Sequence, residues 1–112
     1  MKKFLVLYKA SQATFEQAMK ATPEQQRAGM DAWAAWGKKA GASIVEMGAP
    51  LGKTLLVTEK GASPSRNDIG GFSIMQGDSK EAVAETLKGH PHFMMGPDSS
   101  IEVVDMLPIT GM

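Results

Sequence analysis

The 112-residue sequence predicts a mixed α+β domain, one small sheet with two helices laid against the same face. Three observations lead there. Strand-like runs open and close the chain, "FLVLY" and "SIEVVDMLPI". A long amphipathic segment, residues 24–41, carries its own start and stop signals. A second helical segment, "SKEAVAETLK", separates further strand-like runs from the last one. The length suits a single domain over residues 1–112, large enough to bury a core without staples.

Phe4 to Tyr8 is a continuous apolar run, the pattern of a strand buried on both sides. "ATFEQAMK" follows as a brief helix, with Thr14 and Gln17 spaced as a capping box and Phe15 and Met19 on one face. The main helix opens at "TPEQ". Thr22 stands at the N-cap, Pro23 at the first helical position, where a missing amide proton costs nothing, and Gln25 completes the box. Winding the segment at about 100° per residue gathers Gly29, Met30, Trp33, Ala34, Trp36, Gly37 and Ala40 on one arc. Gln26 is the polar intruder there, and Glu24, Gln25, Arg27, Asp31, Lys38 and Lys39 lie opposite. Gly41 is the expected stop.

"SIVEMGAP" reads as the second strand and "KTLLVTE" as the third, while "GASPSRNDIGG" reads as a connecting loop by composition. "GFSIMQ" is a further strand. Asp78 and Glu81 frame the second helix, with Val83 and Leu87 facing inward and Gly89 at its end. The resulting order contains two βαβ-like halves and predicts a ferredoxin-like βαββαβ sandwich with an extra strand or hairpin. Because the strands are apolar on both sides, the remaining sheet face needs cover. A second copy supplies it, so a two-fold homodimer is expected.

Composition narrows the function classes. Twelve basic and twelve acidic residues cancel, and Arg27 and Arg66 are the whole arginine complement, so nucleic acid is not an expected partner. Cysteine is absent, which removes disulfides, thiol nucleophiles and thiolate ligands. No apolar run approaches the roughly 20 residues that span a bilayer, and the opening run is too short for a signal peptide. The expectation is a soluble, cytoplasmic protein without a membrane partner.

Chemistry-bearing residues concentrate in "KGHPHFMMGPDSS", which holds both histidines, His90 and His92. Pro91 disfavours helical geometry at His90, so the helix is expected to end there with His90 packed or capping. A catalytic reading pairs His90 with Asp31, a carboxylate steadying a general base. A metal reading joins His90 and His92 to Met94 or Met95, with Asp98 as the nearby carboxylate. "GAPLGKT" is not a phosphate loop: three residues separate its glycines where four are required, and a strand follows instead of a helix. Trp33 is expected in the core or lining a pocket between helix and sheet. No cofactor is assigned.

The stretches "KKFLVLY", "AWAAWGKKAGASIVEMGAPLG" and "GGFSIMQGDSKEAVAETLKGHPHF", running into "SIEVVDMLPI", resemble the YCII-related family and its DGPF-type relatives. These are small dimeric α+β barrel proteins. The likeness covers most of the chain and lies in glycine and apolar positions more than in a chemical signature. It implies a homodimer, and acid–base chemistry on a small organic molecule; the alternative is a non-catalytic small-ligand-binding or interaction domain. The family's first-helix histidine, proposed to pair with an aspartate, has its place near Met30 or Asp31. Its Asp-Pro after the second helix is His90-Pro91 here, and "NDIGGF" stands nearest to the DGPF tetrapeptide. The implied catalytic pair is therefore His90 and Asp31, with Met30, Trp33, Gly48 and Pro50 around the substrate.

Overall fold

Residues 1–108 are described in the computed structural model of the chain. The elements, in order, are β1 (Lys2–Lys9), α1 (Gln12–Met19), α2 (Pro23–Ala40), β2 (Ile44–Pro50), β3 (Thr54–Thr58), β4 (Gly61–Ser65), β5 (Ile69–Gly77), α3 (Lys80–Thr86) and β6 (Ser100–Asp105). Short 3-10 turns occupy Gly41–Ser43 and Pro91–Met94. Of the predicted last strand "SIEVVDMLPI", Ile109 lies outside the described residues, and so does the end of the 1–112 domain.

The main helix forms where its end signals place it. Thr22 N–H donates to the Gln25 side chain and Gln25 N–H to the Thr22 hydroxyl, at 3.0 and 3.1 Å, so two orphan amides are satisfied at once. Gly41 ends it at φ 55°. The inward arc is shorter than the sequence pattern suggests. Trp33, Trp36, Gly37 and Ala40 face the sheet or its edge, but Met30 is 73% exposed and a Cβ at Gly29 would meet nothing within 4 Å. An 18-residue helix is about 27 Å long, and its first half runs beyond the core, so apolar spacing alone overstates what it buries.

Four strands form one antiparallel sheet in the order β2-β5-β1-β6. Because β5 is antiparallel to both its neighbours, β1 and β2 run parallel with β5 between them. Alternation along β1 buries Phe4, Val6 and Tyr8 and leaves Leu5 and Leu7 half-buried on the other face. The core joins Phe4, Val6, Tyr8 and Met75 of the sheet to Trp36 of α2 and to Val83 and Leu87, the two positions expected inside the second helix. Two-sided burial of "FLVLY" is thus realised on one side within a single chain.

Three elements differ from the sequence expectation. The stretch read as a loop, Gly61–Ser65, pairs with β3 as a hairpin through a two-residue turn, Glu59-Lys60. Gly, Ser and Pro lower strand propensity, but cross-strand pairing with "TLLVT" overrides it. The first short helix is capped by Ser11, whose hydroxyl accepts from Thr14 N–H, in place of a box at Thr14 and Gln17. Likewise Ser79, not Asp78, caps α3.

Candidate functional site

The residues that converge are Tyr8 of β1, Ser73 of β5, Trp33 and Trp36 of α2, and the two histidines after α3. Strand alternation puts Tyr8 and Ser73 on the helix-covered face of neighbouring strands, and their hydroxyls lie 2.9 Å apart. Ser73 donates onward to the Met47 carbonyl at 2.6 Å, so its own proton is committed and Tyr8 must be the donor to it. The relay ties β1 through β5 to β2. Burial pushes the Tyr8 phenol above its ordinary pKa, although the Ser73 hydrogen bond opposes this.

His90 enters extended, at φ −59° and ψ 139°, as a residue before proline must. Its Nδ1 accepts from His92 N–H at 2.9 Å, so His90 caps the following 3-10 turn more than it closes α3. His92 sends its Nε2 proton to the Lys9 carbonyl at 2.9 Å, fastening the turn to the end of β1. Both rings are buried, at 1% and 2% exposure. Around His90 stand Tyr8, stacked at 5.0 Å, Trp33, perpendicular at 4.4 Å, and Trp36, tilted at 4.3 Å. Trp36 is itself held by an indole N–H bond to the Thr86 carbonyl.

One polar atom is left over. His90 Nε2 is buried and has no hydrogen-bond partner among the described residues. With Nδ1 accepting, the neutral ring carries its proton on Nε2. Burial, and secondarily the His92 charge, lowers the His90 pKa from 6.5 to about 4. The ring is therefore neutral near pH 7.

Of the residues expected around the site, Trp33 joins His90 directly. Asp31 is exposed on α2, and neither ring nitrogen of His90 bonds to it. Met30 lies on the exposed half of the same helix. Gly48 and Pro50 are on β2: Gly48 has φ 77° and sits hard against the Phe72 backbone, and Pro50 is exposed opposite Gly71 on the outer strand. Of the two thioether candidates, Met94 is 85% exposed and Met95 38%. Asp98 is occupied elsewhere, accepting from Ser11 N–H and the Thr14 hydroxyl at the start of α1. No three His, Asp or Glu side chains gather as metal ligands among the described residues.

Two surface clefts lie away from this cluster. One, of about 270 Å³, is formed by Leu51 to Thr54 with Asn67 and Ile69; the other is an open groove of about 500 Å³ along β6 beside Lys80. Among the described residues no helix is long and apolar enough to cross a membrane. The sequence marks Tyr8 only as a strand residue and gives Ser73 no role, since a hydroxyl inside a strand run carries no signal until the register of β1 and β5 is known.

The fold and this cluster define a small α+β protein with a buried histidine–aromatic centre. The chain matches no family model and no curated protein sequence.

Proposed function

We propose that the chain is a homodimeric ferredoxin-like domain, similar to YCII-related proteins of the dimeric α+β barrel type, which holds a small carbonyl-bearing organic molecule against His90. The fold reading is supported by the order β2-β5-β1-β6 with β1 and β2 parallel across β5. The dimer reading is supported by Leu5, Leu7, Phe72 and Ile74, half-buried on the sheet face opposite Trp36 and Val83.

The observation that carries the ligand reading is the unpartnered Nε2–H of His90. A buried donor without an acceptor costs about 1–3 kcal/mol, and such groups are rare unless a partner arrives. Within a ring of Tyr8, Trp33 and Trp36 that partner is a neutral acceptor, because burying a carboxylate there costs far more. Neutral His90 donates to a carbonyl oxygen and polarises it, which is the acid–base role available to it without Asp31. Trp33, the least buried of the three rings, is the side chain that turns aside to admit the molecule.

Titrating ¹⁵N-histidine-labelled protein with cyclohexanone and with acetophenone tests this. A saturable shift confined to His90 Nε2 is expected, and its absence for both ketones discards the ligand reading. A second reading, a non-catalytic interaction domain, is favoured by the closed packing of His90 against three aromatic rings. It predicts the silent titration.

A further inference from the structure

The β3–β4 hairpin is amphipathic, and among the described residues its strands pack substantially only on each other. Pairing of Leu55 with Pro64 and of Val57 with Ala62 puts four apolar side chains on one face by alternation. Thr54, Thr58, Ser63 and Ser65 fall on the other face, with Leu56. Leu55 and Val57 are 62% and 71% exposed, and the two strands pack substantially against each other alone. An isolated two-stranded hairpin is marginal in water, so an apolar face of this kind is held by something it lies on.

The shape of the chain says how much is missing. A compact protein of this mass exposes about 6,000 Å², whereas this one exposes 8180 Å². Its radius of gyration is 15.6 Å against about 13 Å for a compact chain of this length. The excess surface, about 2,000 Å² per chain and so about 4,000 Å² for a pair, falls within what obligate homodimers hide, roughly 2,000–5,000 Å² over both partners.

We propose that the hairpin is an arm that crosses to a second copy of the chain and lays its Leu55, Val57, Ala62 and Pro64 face on that copy's Leu5, Leu7, Phe72 and Ile74. This rests on the homodimer reading and adds the segment that joins the copies. The occupant is a second copy because one chain carries both the uncovered arm and the uncovered sheet face. A two-fold exchange covers both at once and closes, leaving no further surface to propagate. The zero net charge sets up no repulsion between copies.

Sedimentation of the full chain across concentrations, with Leu55→Ser/Val57→Ser and with Leu56→Ser, tests the arm. The double variant is expected to weaken the dimer by at least about 100-fold, since two aliphatic side chains are lost from each of the two arms, and Leu56→Ser by less than about 3-fold. In wild-type dimers mixed from isotope-labelled and unlabelled chains, contacts are expected from the Leu55 and Val57 methyls to Leu5, Leu7 or Ile74 of the other copy. This measurement does not depend on a variant folding. A wild type that stays monomeric overturns the arm and the dimer together. A dimer without these cross-copy contacts, or with contacts from hairpin to hairpin instead, overturns the arm alone, as does a folded double variant that dimerises like the wild type.

Discussion

The main-chain N–H of His92 donates to Nδ1 of His90 over 2.9 Å, and this one bond fixes the tautomer of a ring that three aromatic side chains enclose. It follows from the local sequence. Pro91 keeps His90 extended, and an extended residue before a 3-10 turn can reach back to the amide two positions on. The proton is thereby left on Nε2, facing no acceptor among the described residues.

Stability is expected to fall in acid on account of His90. Its pKa is about 4 in the folded chain against an ordinary 6.5, so the unfolded chain takes up the proton first as pH drops. Above pH 6.5 the group contributes no pH dependence. Stability is lost progressively between 6.5 and 4, by up to about 3 kcal/mol, and the loss then levels off. Urea unfolding of wild type and His90→Gln across this range isolates the term: the difference between the two should shrink as pH falls. A constant difference, or a His90 ring that titrates near 6.5 by NMR, contradicts it.

The Tyr8–Ser73–Met47 relay predicts an order of costs. Ser73→Ala strands the Tyr8 hydroxyl and the Met47 carbonyl together in a buried place, a loss of about 2–6 kcal/mol at about 1–3 kcal/mol for each stranded group. Tyr8→Phe removes one donor, while Ser73 still gives its proton to Met47, so about 1 kcal/mol is expected. Equilibrium unfolding of both variants decides the matter. The reverse order would mean that Ser73 donates to Tyr8 and that the relay runs the other way.

What could be read along the chain, and what could not, follows from the distance over which each contact acts. Thr22, Gln25 and Gly41 fix the ends of α2 through bonds within a few residues, and Val83 and Leu87 show their burial by spacing alone. The expected box at Thr14 and Gln17 gives way to a cap at Ser11, held by Asp98, which accepts from both Ser11 and Thr14 and lies 87 positions from Ser11. β4 is invisible by composition because its strand character comes from its partner. The pairing of Trp33 with His90 depended on how far α2 overlaps the sheet. The same overlap leaves Asp31 outside, where helical spacing had placed it on the polar arc.

Asp98 is expected to govern the order of α1. Hydrogen bonds from Ser11 and Thr14 hold its carboxyl below the ordinary value, so it remains charged well into acid. A negative group at a helix N-terminus also suits the helix dipole. Asp98→Ala should quicken amide exchange across Gln12–Met19 and leave exchange in β1 and β5 unchanged. Quickening throughout the sheet would show instead that Asp98 supports the whole fold.

Two glycine substitutions should move stability in opposite directions. At Gly48 a Cβ would fall 1.8 Å from the Phe72 carbonyl oxygen, and φ is 77°. Neither backbone can yield, because β2 and β5 are hydrogen-bonded on both sides of the irregularity there. Gly48→Ala should therefore cost at least about 3 kcal/mol or prevent folding, the range of severe backbone strain. At Gly29 nothing lies within 4 Å of the added carbon, and the residue sits inside α2. Gly29→Ala should stabilise by up to about 1 kcal/mol through helix propensity. Thermal and urea unfolding of the two variants provide the check, and a tolerated alanine at position 48 would refute the close crossing of β2 over β5.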